Sequence, residues 1–218
     1  SGCNHALMLS HGFGSGSSDA DLAATQTLAD VARAARVRLV GPNARGLLRP
    51  RIALDASAMT DVDTMPSAGS LAVLSQSGAW LSILRDFVAG SSIGFSSLLS
   101  LGASLDLDFG ELLDYFTFDA QTSDVLLYIE EVKNAPAFMS GVRQISRMKP
   151  VIVLKADRAD LHREPDGTHA NVLAQHDRIF EAAIARAGAV RVQTAMQMVA
   201  AARLLTGTHS RTQQRVVA

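Results

Sequence analysis

Only one cysteine, Cys3, occurs in the chain, so no disulfide can form within it. That fits a reducing compartment, and a cytoplasmic location is expected. An excess of one charge is lacking too, the formal net charge being −1. Without a basic surplus the chain is poorly suited to a phosphate backbone, which argues against nucleic acid as its main partner. No apolar run reaches the ~18 residues of a membrane span, and no charged, apolar and small-residue leader opens the sequence, so no membrane partner is expected. Also missing are a Gly-x-Gly-x-x-Gly after a strand and a Gly-x-x-x-x-Gly-Lys-Ser/Thr. The ordinary dinucleotide and P-loop sites are thereby excluded.

Apolar residues are plentiful: they make up 48% of 218 positions, enough for a sizeable core in one large domain or one and a half ordinary ones. The organising stretch is 69–79. Residues 71–74, Leu-Ala-Val-Leu, form an apolar run too short for a helix and predict a buried strand. Ser75-Gln76-Ser77-Gly78 turns the chain, and Trp80, Ile83, Leu84, Phe87 and Val88 then recur at helical spacing. Such a turn is either an ordinary strand-to-helix connection capped by Ser, or an anion site made of free backbone N–H groups and a helix dipole.

Before this stretch, a strand at 6–10, a Gly/Ser-rich loop, an amphipathic helix marked by Leu22, Leu28 and Val31, and a strand at 37–40 make one β–α–β unit. Two strands alone do not make a stable parallel sheet, so this unit needs neighbours. Arg33, Arg36, Arg38, Arg45, Arg49 and Arg51 form the densest basic run, read either as a solvated face or as contacts to a phosphate-bearing ligand. Residues 55–68 lack a period and read as a connection. From 69 onward strands at 71–74, 97–101, 125–129, 151–154 and 189–192 alternate with helices at 79–89, 109–117, 135–147, 177–187 and 194–205. Five such repeats predict a doubly wound parallel sheet. A polar loop is expected over 156–171, and 207–218 reads as a polar tail or linker.

Ligands of open parallel sheets gather beyond the carboxyl ends of the strands. There the sequence places Ser75-Gln76-Ser77-Gly78, then 102–108, then Glu130 and Glu131, then Lys155 with the loop holding His162, Asp166 and His169. A helix N-terminus, a carboxylate and a histidine on one edge suit phosphoryl transfer through the imidazole. A surface histidine and a solvated loop carboxylate are the plainer alternatives. The even spacing of His162, His169 and His176 matches no common zinc pattern, and no metal is expected. Asp106 and Asp108 read as helix caps before Phe109 rather than as a catalytic pair.

Several runs then fall in a familiar order: Gly41-Pro42-Asn43-Ala44-Arg45-Gly46, Ser75-Gln76-Ser77-Gly78-Ala79, Asp106-Leu107-Asp108-Phe109-Gly110, Leu127-Tyr128-Ile129-Glu130, Lys149-Pro150-Val151-Ile152-Val153 and Arg186-Ala187-Gly188-Ala189-Val190-Arg191-Val192. Together they resemble the NDP-forming acyl-CoA synthetases, relatives of the succinyl-CoA synthetase alpha subunit. Leu48-Arg49-Pro50-Arg51 and Ile93-Gly94-Phe95-Ser96 look closest to the module fused in bacteria to a GNAT protein-lysine acetyltransferase.

The resemblance implies that 1–66 is the C-terminal part of a Rossmann-like CoA-binding domain and 67–206 a flavodoxin-like CoA-ligase domain. It implies CoA or acyl-CoA as ligand, with Pro42 and Asn43 on the CoA side. ATP or another NTP with Mg would come through an ATP-grasp domain or subunit absent from these residues. It implies a phosphohistidine at His169, oriented by Glu130 and capped by Ser75, Gln76, Ser77 and Gly78. The resemblance leaves a second reading open, a non-catalytic acyl-CoA-sensing module of an acetyltransferase. Ala170-Asn171 stand where the family has Thr-Gly, Gln175 where a Gly follows, and Ala103 where Asn is usual. The edge left by an incomplete first domain further suggests homo-oligomers.

Overall fold

The computed structural model describes residues 2–13, 19–58, 65–156 and 167–212, with side chains described for all of these except 167–176 and 208–212. Its first unit is β1 (His5–Leu7), α1 (Asp19–Ala34) and β2 (Arg38–Val40), with β1 and β2 paired in parallel. No residue of α1 is buried, and Leu22 and Val31 face solvent. β3 (Gly46–Arg49), a 3-10 turn at Pro50–Ile52 and β4 (Leu54–Ser57) follow. Then come β5 (Ala68–Ser75), α2 (Gly78–Val88), β6 (Phe95–Ser100), α3 (Phe109–Phe118), β7 (Asp124–Ile129), α4 (Ala135–Ile145), β8 (Val151–Lys155), α5 (Gly167–Arg186), β9 (Val190–Val192) and α6 (Ala195–Thr212).

Strands β4-β3-β6-β5-β7-β8-β9 form one sheet in that order. From β6 to β9 every pairing is parallel. Numbered from β5, the five parallel strands run 2-1-3-4-5, the flavodoxin-like order. Successive residues of a strand face opposite sides, and both sides are apolar here. Ala72 and Leu74 pack under α3, α4 and α5 with Leu113, Phe138, Val142 and Ile184. Leu71 and Val73 pack under α2 and α6 with Leu81, Leu84, Met198 and Val199. The expected doubly wound sheet is therefore present, with its core split into two layers.

Three regions differ from the sequence expectation. Residues 55–57, expected within a connection, belong to the edge strand Leu54–Ser57, which with β3 adds an antiparallel hairpin to β6. These eight residues carry no clear alternation, and the pairing rests on backbone bonds that composition does not announce. Residues 46–57, assigned to the first domain by resemblance, thus hydrogen-bond with the larger sheet. α5 begins at Gly167, ten residues before the expected helix, and α6 runs to Thr212, past the expected end at 205. The segment added to α6, 206–212, is polar, so no apolar stripe marks it.

The first unit docks through the turn after β6. Ala103 N–H donates to Pro42 O (2.8 Å), Leu105 N–H to Gly41 O (3.0 Å) and Leu107 N–H to Leu39 O (3.2 Å). Asp106, expected as a cap, accepts instead from Leu39 N–H and from Arg38 Nε. Burial works to raise its pKa, but these hydrogen bonds outweigh burial and hold the carboxyl below its ordinary value. Asp108 does cap α3, accepting from Gly110 and Glu111 N–H. Arg49 ties β3 to the end of α3 through Tyr115 and Asp119. Two members of the basic run are thus structural.

Candidate phosphoryl-transfer site

At the carboxyl end of β5 the buried Ser75 hydroxyl donates to Ser77 O (2.7 Å). Ser77 is extended (φ −89°, ψ 115°), and its Oγ accepts from Trp80 N–H at 3.2 Å. The capped turn that the sequence predicts is thus in place. Backbone N–H groups of Ser77, Gly78 and Ala79 have no acceptor among the described residues. They stand at the positive end of α2, where an anion is favoured.

Gln76 joins this turn to β7. Its N–H donates to Tyr128 O (3.2 Å), its Oε1 accepts from Glu130 N–H (2.6 Å) and Glu131 N–H (2.9 Å), and its Nε2 donates to Glu131 O (2.8 Å). A flipped amide would lose all three side-chain bonds, so the orientation is set by its partners. β5 and β7 flank the point where the strand order reverses, the usual ligand crevice of such sheets. The Glu130 side chain is exposed at that crevice. Alongside, Trp80 stacks on Tyr128 with ring centroids 4.8 Å apart. Burial, and then the Glu130 charge, push the Tyr128 phenol pKa up.

Gln76→Glu tests the strap. A carboxylate still accepts from the two N–H groups, but its second oxygen meets the Glu131 carbonyl and its charge meets Glu130. We expect about 1–3 kcal/mol of destabilisation at pH 7. The deficit should shrink toward pH 4, where a protonated carboxyl donates as the amide did. Thermal melts at both pH values check this; a deficit independent of pH would refute the strap.

Arg45 is a site residue that sequence reasoning left within the basic run. A Cβ on Gly78 would lie 2.0 Å from Arg45 Cγ, so the arginine stem lies against the turn. Its own N–H donates to Ser100 Oγ (2.9 Å), and no carboxylate pairs with its exposed guanidinium among the described residues. The only signal was its place after Gly41-Pro42-Asn43-Ala44. Pro42 is buried, with its carbonyl taken by Ala103, whereas Asn43 is exposed with φ 59°.

His169 is the third residue of α5, and its side chain lies outside the described residues, as do those of His162 and His176. What anchors the helix is Asp177. Eight residues on, it lies about 12 Å along the axis at the α-helical rise. Arg191 grips it with two bonds, Nη1–Oδ2 2.9 Å and Nη2–Oδ1 2.6 Å, and Lys155 Nζ lies 3.6 Å from Oδ1. Both cations lie over the Phe180 ring.

The Arg191 hydrogen bond, working against burial, holds the Asp177 carboxyl below its ordinary 3.8. A depressed folded pKa adds stability above the ordinary value and loses it as pH falls through the folded one. Protection of the amides over 177–186, relative to their intrinsic exchange at the same pH, is therefore expected to fall selectively as pH drops below about 4. Asp177→Asn should be less stable at pH 7 and lack this acid step. Equal acid sensitivity in both chains would remove the clamp from the explanation.

These features define a flavodoxin-like α/β domain with an anion-ready turn at its switch point. Residues 68–205 match the family described as "Succinyl-CoA ligase like flavodoxin domain", and the chain belongs to that family. It is 35% identical over 170 residues to the acetate–CoA ligase [ADP-forming] of Methanocaldococcus jannaschii, covering 78% of this chain and 24% of that protein. To the acetate–CoA ligase [ADP-forming] I subunit alpha of Pyrococcus furiosus it is 34% identical, covering 78% and 36%. The chain thus spans about a quarter to a third of these relatives. A Ca. Korarchaeum cryptofilum dinucleotide forming acetyl-coenzyme A synthetase 1, solved in complex with phosphate and ADP, superposes with TM-score 0.77 at 27% identity, covering 93% of this chain and 43% of that one. Among the described residues no helix is long and apolar enough to cross a membrane.

Proposed function

We propose that this chain is the phosphoryl-accepting part of an ADP-forming acyl-CoA synthetase. The observation that carries this reading is the Ser75-Gln76-Ser77-Gly78 turn. Beside Arg45 it offers N–H groups with no acceptor among the described residues, and Gln76 braces it to the segment holding Glu130. Backbone donors fixed before a charge arrives stabilise it without reorganising. His169 acts as nucleophile: an imidazole nitrogen attacks phosphorus, a P–N bond forms, and the P–O bond to departing ADP breaks. Glu130 holds the other ring nitrogen, and Ser77 and Gly78 N–H receive the phosphoryl oxygens. Ser75 and Gln76 keep the turn in shape. The nucleotide, with Mg, would be presented by an ATP-grasp domain or subunit. CoA would lie on the side of Asn43, whose exposed side chain fits a ligand better than does the buried Pro42 ring.

The likeness of 48–51 and 93–96 to the acetyltransferase-fused module supports a place beside a GNAT domain. Ala170, Asn171, Gln175 and Ala103, which replace Gly, Thr or Asn of the family pattern, favour a second reading as an acyl-CoA sensor. The experiment incubates the chain with an ATP-grasp subunit and γ-labelled ATP. Acid-labile label located at His169 is expected; no label on the wild-type chain would leave the sensor reading.

A further inference from the structure

The opposite edge of the sheet holds a charge that the site above does not use. Arg85 lies in the last turn of α2, seven residues and about 10 Å along the helix from Gly78. It is only 8% exposed, its Nε is buried without a partner, and no hydrogen bond or ion pair reaches it among the described residues. Buried guanidinium groups are ordinarily paired, because an uncompensated charge out of water is costly.

Arg85 lines a cavity of about 180 Å³ at the amino ends of β5 and β6. Met65, Val88, Ile93 and Phe95 give it apolar walls, and the exposed Asp86 is on its lining. An apolar protein cavity of about 150 Å³ admits benzene, so a six-carbon body fits here. Asp86 disfavours a second negative charge, which selects a monoanion over phosphate.

We propose that this cavity binds a small monocarboxylate with a compact apolar body, the carboxylate resting on Arg85. Arginine offers two parallel N–H donors to such a group, and the walls remove its apolar part from water. The site is remote from the Ser75–Gly78 turn and does not depend on the phosphoryl-transfer reading.

The test titrates the 218-residue chain with benzoate, followed by calorimetry and by amide chemical shifts. Saturable binding is expected, with shifts gathered over 85–95. Benzyl alcohol should bind at least about tenfold more weakly, as loss of one charged hydrogen bond implies. Inorganic phosphate should also bind more weakly, because it has no apolar body and its second charge meets Asp86. Arg85→Met should bind benzoate at least about tenfold more weakly on the same grounds, while melting no lower than wild type without ligand. The shift map needs no variant, so a poorly folded Arg85→Met leaves the test intact. Absence of saturable binding, shifts centred on 75–79, or phosphate binding as well as benzoate would each overturn the proposal. So would binding that emerges only after Asp61 and Asp63 are both changed to Asn, since the chain would then supply its own carboxylate.

Discussion

His169→Asn is expected to abolish the acid-labile phosphate that the proposed reaction would place on the wild-type chain in the presence of γ-labelled ATP and an ATP-grasp subunit. Among side chains with ordinary pKa values, only imidazole offers a largely neutral nitrogen nucleophile near pH 7 and still forms a bond labile to acid. Asn preserves polarity and approximate size but has no such nitrogen lone pair. Glu130→Gln should act differently, slowing labelling on the order of 10²-fold by loosening the ring's orientation and charge while leaving the label at His169. The two variants therefore separate nucleophile from orienting group. Label persisting in His169→Asn, or residing on Ser77, would contradict the assignment.

Gly102→Ala should be the most damaging single-methyl change outside the strands. Gly102 has φ +58°, and a Cβ there would lie 2.2 Å from Pro42 O and 2.5 Å from Asn43 C. Both are backbone atoms, so no side chain can swing aside. The left-handed conformation alone costs alanine about 1–2 kcal/mol. Relieving the contact would also break the Ala103–Pro42 and Leu105–Gly41 bonds that dock the first unit. A total near 3 kcal/mol, or roughly 6–12 °C in Tm, is expected. Gly207→Ala is the control: it lies in α6 with nothing within 4 Å of its Cβ position, so the change should be neutral or slightly stabilising. Equal Tm changes in the two variants would refute the steric argument.

Local chemistry made much of the larger domain legible. Leu71, Val73 and Leu74, like 125–127 and 151–154, are apolar on both faces because helices cover both sides of their strands. Ser77 and Asp108 announce the starts of α2 and α3 through oxygen atoms that cap free N–H groups. The β3–β4 hairpin gave no such signal. Its edge strand is mostly exposed, and it is held by backbone pairing rather than by an apolar pattern. Asp106 misled for a related reason: two aspartates spaced i, i+2 look alike until Arg38 and Leu39 are brought to one of them.

The site divides along the same line. The turn at Ser75–Gly78 and the carboxylate at Glu130 could be placed on one edge from strand-to-helix alternation alone. The three-bond bracing of 130–131 by Gln76 could not, because it depends on β5 and β7 being neighbours although β6 lies between them in sequence. Arg45 belongs with Gln76 here, since its stem reaches Gly78 only when β3 is laid against β6.

The amino-acid sequence by itself determined the alternating strands and helices, their caps and the residue types at each strand end. Those properties arise from hydrogen bonds and burial within a few residues. The 2-1-3-4-5 order, the added antiparallel hairpin, the Gln76 bracing and the burial of Arg85 were decided only in the tertiary structure. Each depends on which distant segments share a sheet edge or a cavity wall, and that is set by packing of the whole core.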